Sequence, residues 1–145
     1  MSKQPGSTFR SVVCVCALLC AATTARAADS RERIERVVND LKTQLSIEQT
    51  IDVAVVAENP KLFSVTPAEQ QPRTFLLSVE EHFAQELSDA ELRAAVAHEL
   101  GHVWIYTHFP YLQTEQLAND IASRVVSPDS LAPLYEKVWK KAAVQ

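Results

Sequence analysis

The sequence predicts an α+β domain in which a helix precedes a small antiparallel sheet and a helical C-terminal part follows. Two patterns lead to this fold class. Apolar residues recur at helical spacing near the N-terminus and again through the C-terminal half, and three short apolar runs rich in β-branched residues lie between them. The chain has 145 residues, 47% hydrophobic and 22% charged, as expected of one ordinary globular domain.

The first 27 residues have the pattern of a secretory signal peptide. Basic residues precede an apolar run over 11–22, and the small-residue pattern Ala25-Arg26-Ala27 follows it. Cleavage after this pattern would leave 28–145 as a single domain of 118 residues, located in the periplasm or secreted. An uncleaved N-terminal anchor is the alternative. The apolar run is short for a membrane span, and we expect no stable transmembrane segment after cleavage.

The cysteine content and the net charge exclude cysteine-based sites and disfavour anionic partners. All three cysteines lie within segment 1–27, so the exported domain would have no disulfide, thiolate metal ligand or cysteine nucleophile. The net charge of −4 becomes −7 once the three basic residues of that segment are removed. A negative domain disfavours nucleic acid and anionic membrane surfaces as partners. Packing, a bound metal or both must then stabilise the domain.

The elements are predicted in the order helix, strands, helices. Residues 29–46 carry apolar side chains at helical spacing, with Asp29 and Glu32 as a capping pair. Ser88 followed by Glu91 is a capping box that begins a long helix. The strands are expected over 51–57, 62–66 and 73–79, and the later helices over 80–87, 89–106, 114–126 and 131–143.

The predicted helix over 89–106 contains a His-Glu-x-x-His motif formed by His98, Glu99 and His102. Four residues advance a helix by about 400°, so the two histidines lie on one face, a turn apart, where both imidazoles can bind one zinc ion. Glu99 lies beside that position, where a carboxylate can take a proton from water. Apolar residues surround the motif, so these ionisable side chains would be costly to bury without a metal or hydrogen bonds.

Catalytic zinc usually takes three protein ligands, and Glu115 is the preferred third one. It begins the next predicted helix 13 residues after His102, so an antiparallel helical hairpin would return it to the metal. Asn119, one turn later on the same face, is expected to orient a ligand. Asp120 is the weaker alternative, because it lies about 140° off that face. Glu115 could instead be an exposed carboxylate that favours the helix dipole.

The segment LSDAELRAAVAHELGHV, residues 87–103, resembles the active-site helix of the gluzincin metallopeptidases, especially the CAAX-prenyl-protease/HtpX group. The segment EQLANDIASRVVSP, residues 115–128, resembles the third-ligand helix of ImmA/IrrE-type metallopeptidases. The resemblance implies a minimal zincin-like domain with one Zn²⁺ per chain on the two motif histidines and Glu115. The motif glutamate is then the general base. Asn119 stands where the CAAX/HtpX group usually has Asp.

The implied reaction is hydrolysis of a peptide bond in a peptide or protein substrate, with Glu99 deprotonating water and protonating the leaving amine. The oxyanion needs a further donor, for which Tyr106, His108 and Tyr111 are the candidates near the end of the active-site helix. An exposed edge of the strand over 73–79 is expected to bind substrate as an added strand.

Two other functions remain open on the sequence. One is a catalytically degenerate zinc-binding protein on a peptidase scaffold, acting as a binding or regulatory module of the cell envelope. The other is a helical interaction domain without metal. Retention of Glu99 favours the enzyme, because a purely structural metal site needs no general base.

Two further residues are interpreted structurally. Gly101 is the one glycine of 28–145, and a glycine inside a helix costs about 1 kcal/mol relative to alanine. We therefore expect a neighbouring backbone, most simply that of a crossing helix, to pack closely against it. Tyr135, at helical spacing in the last predicted helix, is interpreted as a core or interface residue.

Overall fold

The structure, a computed structural model, describes the backbone of residues 10–142 and the side chains of residues 26–141. Within those residues the elements follow the predicted order, and the α+β fold class is confirmed. The helices are α1 (Arg10–Leu45), α2 (Glu81–Glu86), α3 (Asp89–Thr107), α4 (Glu115–Ala122) and α5 (Pro128–Ala142). The strands are β1 (Thr50–Val56), β2 (Phe63–Pro67) and β3 (Thr74–Glu80).

Helix α1 is longer than the helix predicted over 29–46, because it begins at Arg10 and continues through the predicted cleavage site. Asp29 and Glu32 therefore lie inside a helix and do not cap one. Residues 1–9 of the predicted signal peptide lie outside the described residues. Among the residues that the structure describes, no helix has both the length and the apolar character needed to cross a membrane.

The sheet is mixed, which corrects the antiparallel sheet predicted from the sequence. β3 pairs with β2 in antiparallel and with β1 in parallel orientation, in the order β1-β3-β2. β3 holds the centre and is the most deeply buried of the three strands, with Leu77 and Val79 completely buried. Within the described residues β3 is thus paired on both sides, so the segment 73–79 offers no free edge for a substrate strand, and β2 is the edge strand facing α3.

Helix α3 crosses the middle of the domain, between the sheet, α1, α4 and α5. Its apolar residues point in every direction, and those on several sides, such as Ala94, Val96, Leu100 and Val103, are completely buried. A helix apolar all round is stable only when other elements cover it on every side. The histidine motif therefore lies on the most enclosed helix of the domain.

The capping box at the start of α3 is confirmed and extended by a lysine. The hydroxyl of Ser88 accepts a hydrogen bond from the backbone N–H of Glu91, and the Glu91 carboxylate accepts one from the backbone N–H of Ser88. Lys137 of α5 donates to the same carboxylate at 2.8 Å. The hydrogen bond from Lys137 first, and then those that the hydroxyl and the backbone N–H of Ser88 donate to the carboxylate, lower the pKa of Glu91 to about 2.

We expect Glu91 to make the fold sensitive to acid. Because its pKa is lower in the folded than in the unfolded chain, its stabilising effect is complete above the ordinary value of 4.5 and is lost as the pH falls toward 2. Glu91→Gln should lower the free energy of unfolding at neutral pH by about 1–3 kcal/mol and flatten its decline in acid, measured by urea unfolding across pH. Glu136→Gln, with its side chain 75% exposed, is the control. Equal pH profiles for the two variants would contradict this role of Glu91.

Candidate active site

The site depends on how closely α4 crosses α3. A Cβ atom added to Gly101 would lie 2.5 Å from the backbone carbonyl oxygen of Ala118 and 3.1 Å from its Cα. The predicted close contact of Gly101 with a neighbouring helix is therefore confirmed. It allows the first turn of α4, which begins at Glu115, to approach the histidine face of α3.

Three predicted metal ligands meet at this crossing. The ligand atoms of His98, His102 and Glu115 all lie within 4.8 Å of one another. The two Nε2 atoms are 3.2 Å apart, and the Glu115 carboxylate oxygens lie 3.1 Å from that of His98 and 3.5 Å from that of His102. Asp120 accepts a hydrogen bond from Gln116 and, among the described residues, takes no part in this cluster.

Two amide side chains determine the tautomers of the histidines. Nδ1 of His98 lies 2.7 Å from Oδ1 of Asn119, and Nδ1 of His102 lies 3.0 Å from Oε1 of Gln113. Gln113 also donates from Nε2 to the backbone carbonyl of His102 at 2.9 Å, which fixes the orientation of its amide. Each Nδ1 therefore carries the proton, and each Nε2 presents a lone pair toward the other and toward Glu115.

This donor set fits a divalent metal ion. Two imidazole lone pairs and a carboxylate that converge on one point repel one another unless a cation lies between them. Two imidazoles and one carboxylate are a usual ligand set for zinc, and hydrogen bonds from the far ring nitrogens are usual for metal-binding histidines. The cluster is thus capable of binding a metal, with Asn119 placed behind His98 as the sequence predicts.

Glu99 lies next to this cluster but outside it. Its carboxylate is partly buried, and burial raises its pKa, while the backbone N–H of Val65 acts in the opposite direction. The charge of Glu115 adds to the increase. A carboxylate with a raised pKa is a stronger base and is suited to accept and return a proton.

A cleft of about 520 Å³ opens in front of the four side chains His98, Glu99, His102 and Glu115. It lies between the edge strand β2, helix α3 and helix α5. Much of its wall is apolar, contributed by Leu62, Phe63, Phe83, Leu134 and Val138. A cleft with an apolar wall and a few converging polar groups is the usual form of a ligand site.

The sequence analysis missed two residues of the site. Gln113, in the loop before α4, has no local sequence signal for its contact with His102. Tyr135 is not simply a core residue: it lines the cleft, and its hydroxyl lies 3.2 Å from Nδ1 of His98 and donates to Oδ1 of Asn119. Burial raises the pKa of Tyr135. Its helical register with Leu131 and Leu134, both buried, would have placed it on the inner face of α5.

The candidates for the oxyanion donor lie in different places. His108 stacks on Trp104 with ring centroids 3.8 Å apart, and Tyr111 lies 5.6 Å from the same indole. Tyr106 packs edge-on against Phe75 at 5.3 Å. In the part of the chain that the structure describes, the cleft wall includes Tyr106 but neither His108 nor Tyr111.

Comparison with known proteins relates the fold to a metallopeptidase. No protein-family model matches the chain. The uncharacterized protein aq_aa15 of Aquifex aeolicus (strain VF5) is 29% identical over 112 residues, which cover 76% of this chain and 91% of that protein. The crystal structure of the metallopeptidase zymogen of Methanocaldococcus jannaschii jannalysin superposes with a TM-score of 0.55 and 18% identity, over 74% of this chain and 88% of that one. The chain thus has a metallopeptidase-like fold.

Proposed function

We propose that this protein is a zinc-dependent metallopeptidase in which His98, His102 and Glu115 hold one zinc ion. One observation carries the proposal: two imidazole lone pairs and a carboxylate converge beside a further carboxylate, Glu99, whose pKa is raised. A metal site that only stabilises the fold has no use for that second carboxylate. The metallopeptidase-like fold supports the same class of reaction.

In the proposed reaction, the residues of the chain position water and substrate and transfer protons. A zinc ion bound by these ligands would supply Lewis-acid chemistry, polarising the scissile carbonyl and making water more acidic. Glu99 accepts the proton of the attacking water and returns it to the leaving amine. Tyr106, which lines the cleft, is the donor that we retain for the oxyanion.

The proposed substrate is an extended peptide. Residues 63–65 of the edge strand β2 line the cleft beside Glu99, and an exposed strand edge binds a peptide through main-chain hydrogen bonds. β2 takes the role that the sequence analysis gave to the strand over 73–79. We retain export to the periplasm or the cell exterior as part of the proposal, on the signal-peptide pattern of residues 1–27.

Metal analysis tests the proposal first. Plasma mass spectrometry of the purified protein should find about one zinc per chain, since three ligands suffice for a catalytic zinc site. His98→Ala and Glu115→Ala should lose most of it. Asp120→Asn, which alters a carboxylate on the same helix but outside the cluster, should retain it. A native protein without metal after reconstitution with zinc would refute the proposal. Zinc without hydrolysis of any peptide in a library would favour a zinc-binding module instead.

A further inference from the structure

Tyr135 ends a hydrogen-bonded chain that begins at a proposed metal ligand. His98 on α3 contacts Oδ1 of Asn119 on α4 at 2.7 Å, and the hydroxyl of Tyr135 on α5 donates to that same oxygen. The hydroxyl also lies 3.2 Å from Nδ1 of His98. Three helices thus meet at one amide oxygen, which has the two lone pairs needed to accept from both neighbours.

The orientation of the Asn119 amide decides which nitrogen of His98 carries the proton. With Oδ1 toward the ring, the amide accepts from Nδ1–H, and Nε2 keeps a free lone pair. With the amide reversed, its NH₂ group would face Nδ1 and donate to it. The imidazole proton would then move to Nε2, which could no longer bind a metal.

The Tyr135 hydroxyl favours the first of these orientations. In the reversed orientation the hydroxyl and the NH₂ group would both have to donate to the single lone pair of His98 Nδ1, so one of the two hydrogen bonds would be lost. Among the residues that the structure describes, its hydrogen-bond partners are Asn119 and His98 only. Since the side chain is half-buried, the lost hydrogen bond is not freely replaced by water. Without this hydroxyl, the Asn119 amide has no steric preference for either orientation, because its oxygen and nitrogen ends are nearly equal in size.

The position of the hydroxyl is fixed by the way α5 is anchored. Leu131 and Leu134, on the same face of α5, are 6% and 4% exposed. Lys137, two residues after Tyr135, donates to Glu91 at the start of α3. The two buried leucines and the ion pair between Lys137 and Glu91 therefore hold this part of α5 against the rest of the domain. The packing of α5 on α3 thus orients the phenol of Tyr135 toward Asn119.

We propose that Tyr135 is a positioning residue, whose hydroxyl holds the amide oxygen of Asn119 toward His98 and keeps the Nε2 lone pair of His98 directed at His102 and Glu115. The effect on the histidine tautomer stands on the hydrogen bonds themselves. The effect on metal binding rests on the proposed function.

The histidine tautomer can be measured without metal. Long-range ¹H–¹⁵N spectra of the metal-free, full-length protein at mildly alkaline pH, where imidazole is neutral, should show His98 protonated on Nδ1. Tyr135→Phe, which keeps the ring and removes only the hydroxyl, should shift His98 toward the tautomer protonated on Nε2. The double variant Tyr135→Phe/Asn119→Asp should restore the Nδ1 proton, because a carboxylate in either orientation only accepts. His102, held by Gln113, is the internal control and should not change.

Zinc affinity, measured by competition with a chelator, gives the second readout. Tyr135→Phe should bind zinc about 10–100-fold more weakly, as is typical when a residue supporting a metal-binding histidine is lost, and the double variant should recover most of this. A His98 tautomer unchanged in Tyr135→Phe, or not restored in the double variant, overturns the role of Tyr135. If the tautomers respond as expected but the native protein binds no zinc, the proposed function fails and the positioning role stands.

Discussion

We expect Glu99→Gln to abolish the proposed peptide hydrolysis and to leave the bound metal in place. Glutamine has the size of glutamate but accepts no proton at neutral pH, and loss of a general base typically costs about 10²–10⁴-fold in rate. Because Glu99 lies outside the cluster of proposed metal ligands, zinc content should stay at the native level. The rate is measured with quenched fluorescent peptides, and the zinc content is measured on the same samples.

Glu115→Gln is the matched comparison, because it makes the same chemical change on the neighbouring carboxylate of the site. Glu115 is part of the cluster that is capable of binding a metal, so this variant should lose zinc and activity together. The two variants thereby distinguish the proposed general base, Glu99, from the proposed metal ligand, Glu115. Loss of zinc from Glu99→Gln would mean that Glu99 is a ligand, and full activity in that variant would exclude it as the general base.

We expect Gly101→Ala to disrupt the crossing of α3 and α4. The added methyl group would lie 2.5 Å from the carbonyl oxygen of Ala118, and a backbone atom cannot rotate away as a side chain can. Forcing an extra carbon into such a contact typically costs about 1–3 kcal/mol of stability. Separation of the helices also moves Glu115 and Asn119 away from the histidines, and we expect zinc to bind about 10–100-fold more weakly. Urea unfolding and chelator competition measure the two effects.

Adding Ala118→Gly to Gly101→Ala provides the control. The close contact is with the backbone of residue 118, so removing its side chain should not restore zinc binding. In an uncrowded helix, alanine in place of glycine stabilises by about 1 kcal/mol. A Gly101→Ala protein that is more stable than the native one and binds zinc normally would therefore show that the helices cross farther apart than the structure indicates.

The sequence predicted those features of the site that depend on local helix geometry. His98 and His102 are four residues apart, and the regular turn of a helix brings them to one face whatever surrounds it. The capping box of Ser88 and Glu91 is a contact across three residues, and it forms as predicted. Gly101 also predicted a close neighbour. A glycine inside a helix is unfavourable, so its presence indicates a position where a neighbouring backbone leaves no room for a side chain.

Tertiary structure decided the features that join segments distant in the chain. The parallel pairing of β1 with β3 depends on which strand the core buries most deeply, and the edge that faces the site follows from that choice. Tyr135 meets His98 across 37 positions of sequence, and Gln113 meets His102 through a loop with no repeating pattern. Periodicity reports which side of an element is buried. The contacts between side chains of different helices form only when all the helices pack together. The residues that orient the two histidines therefore depend on the tertiary structure.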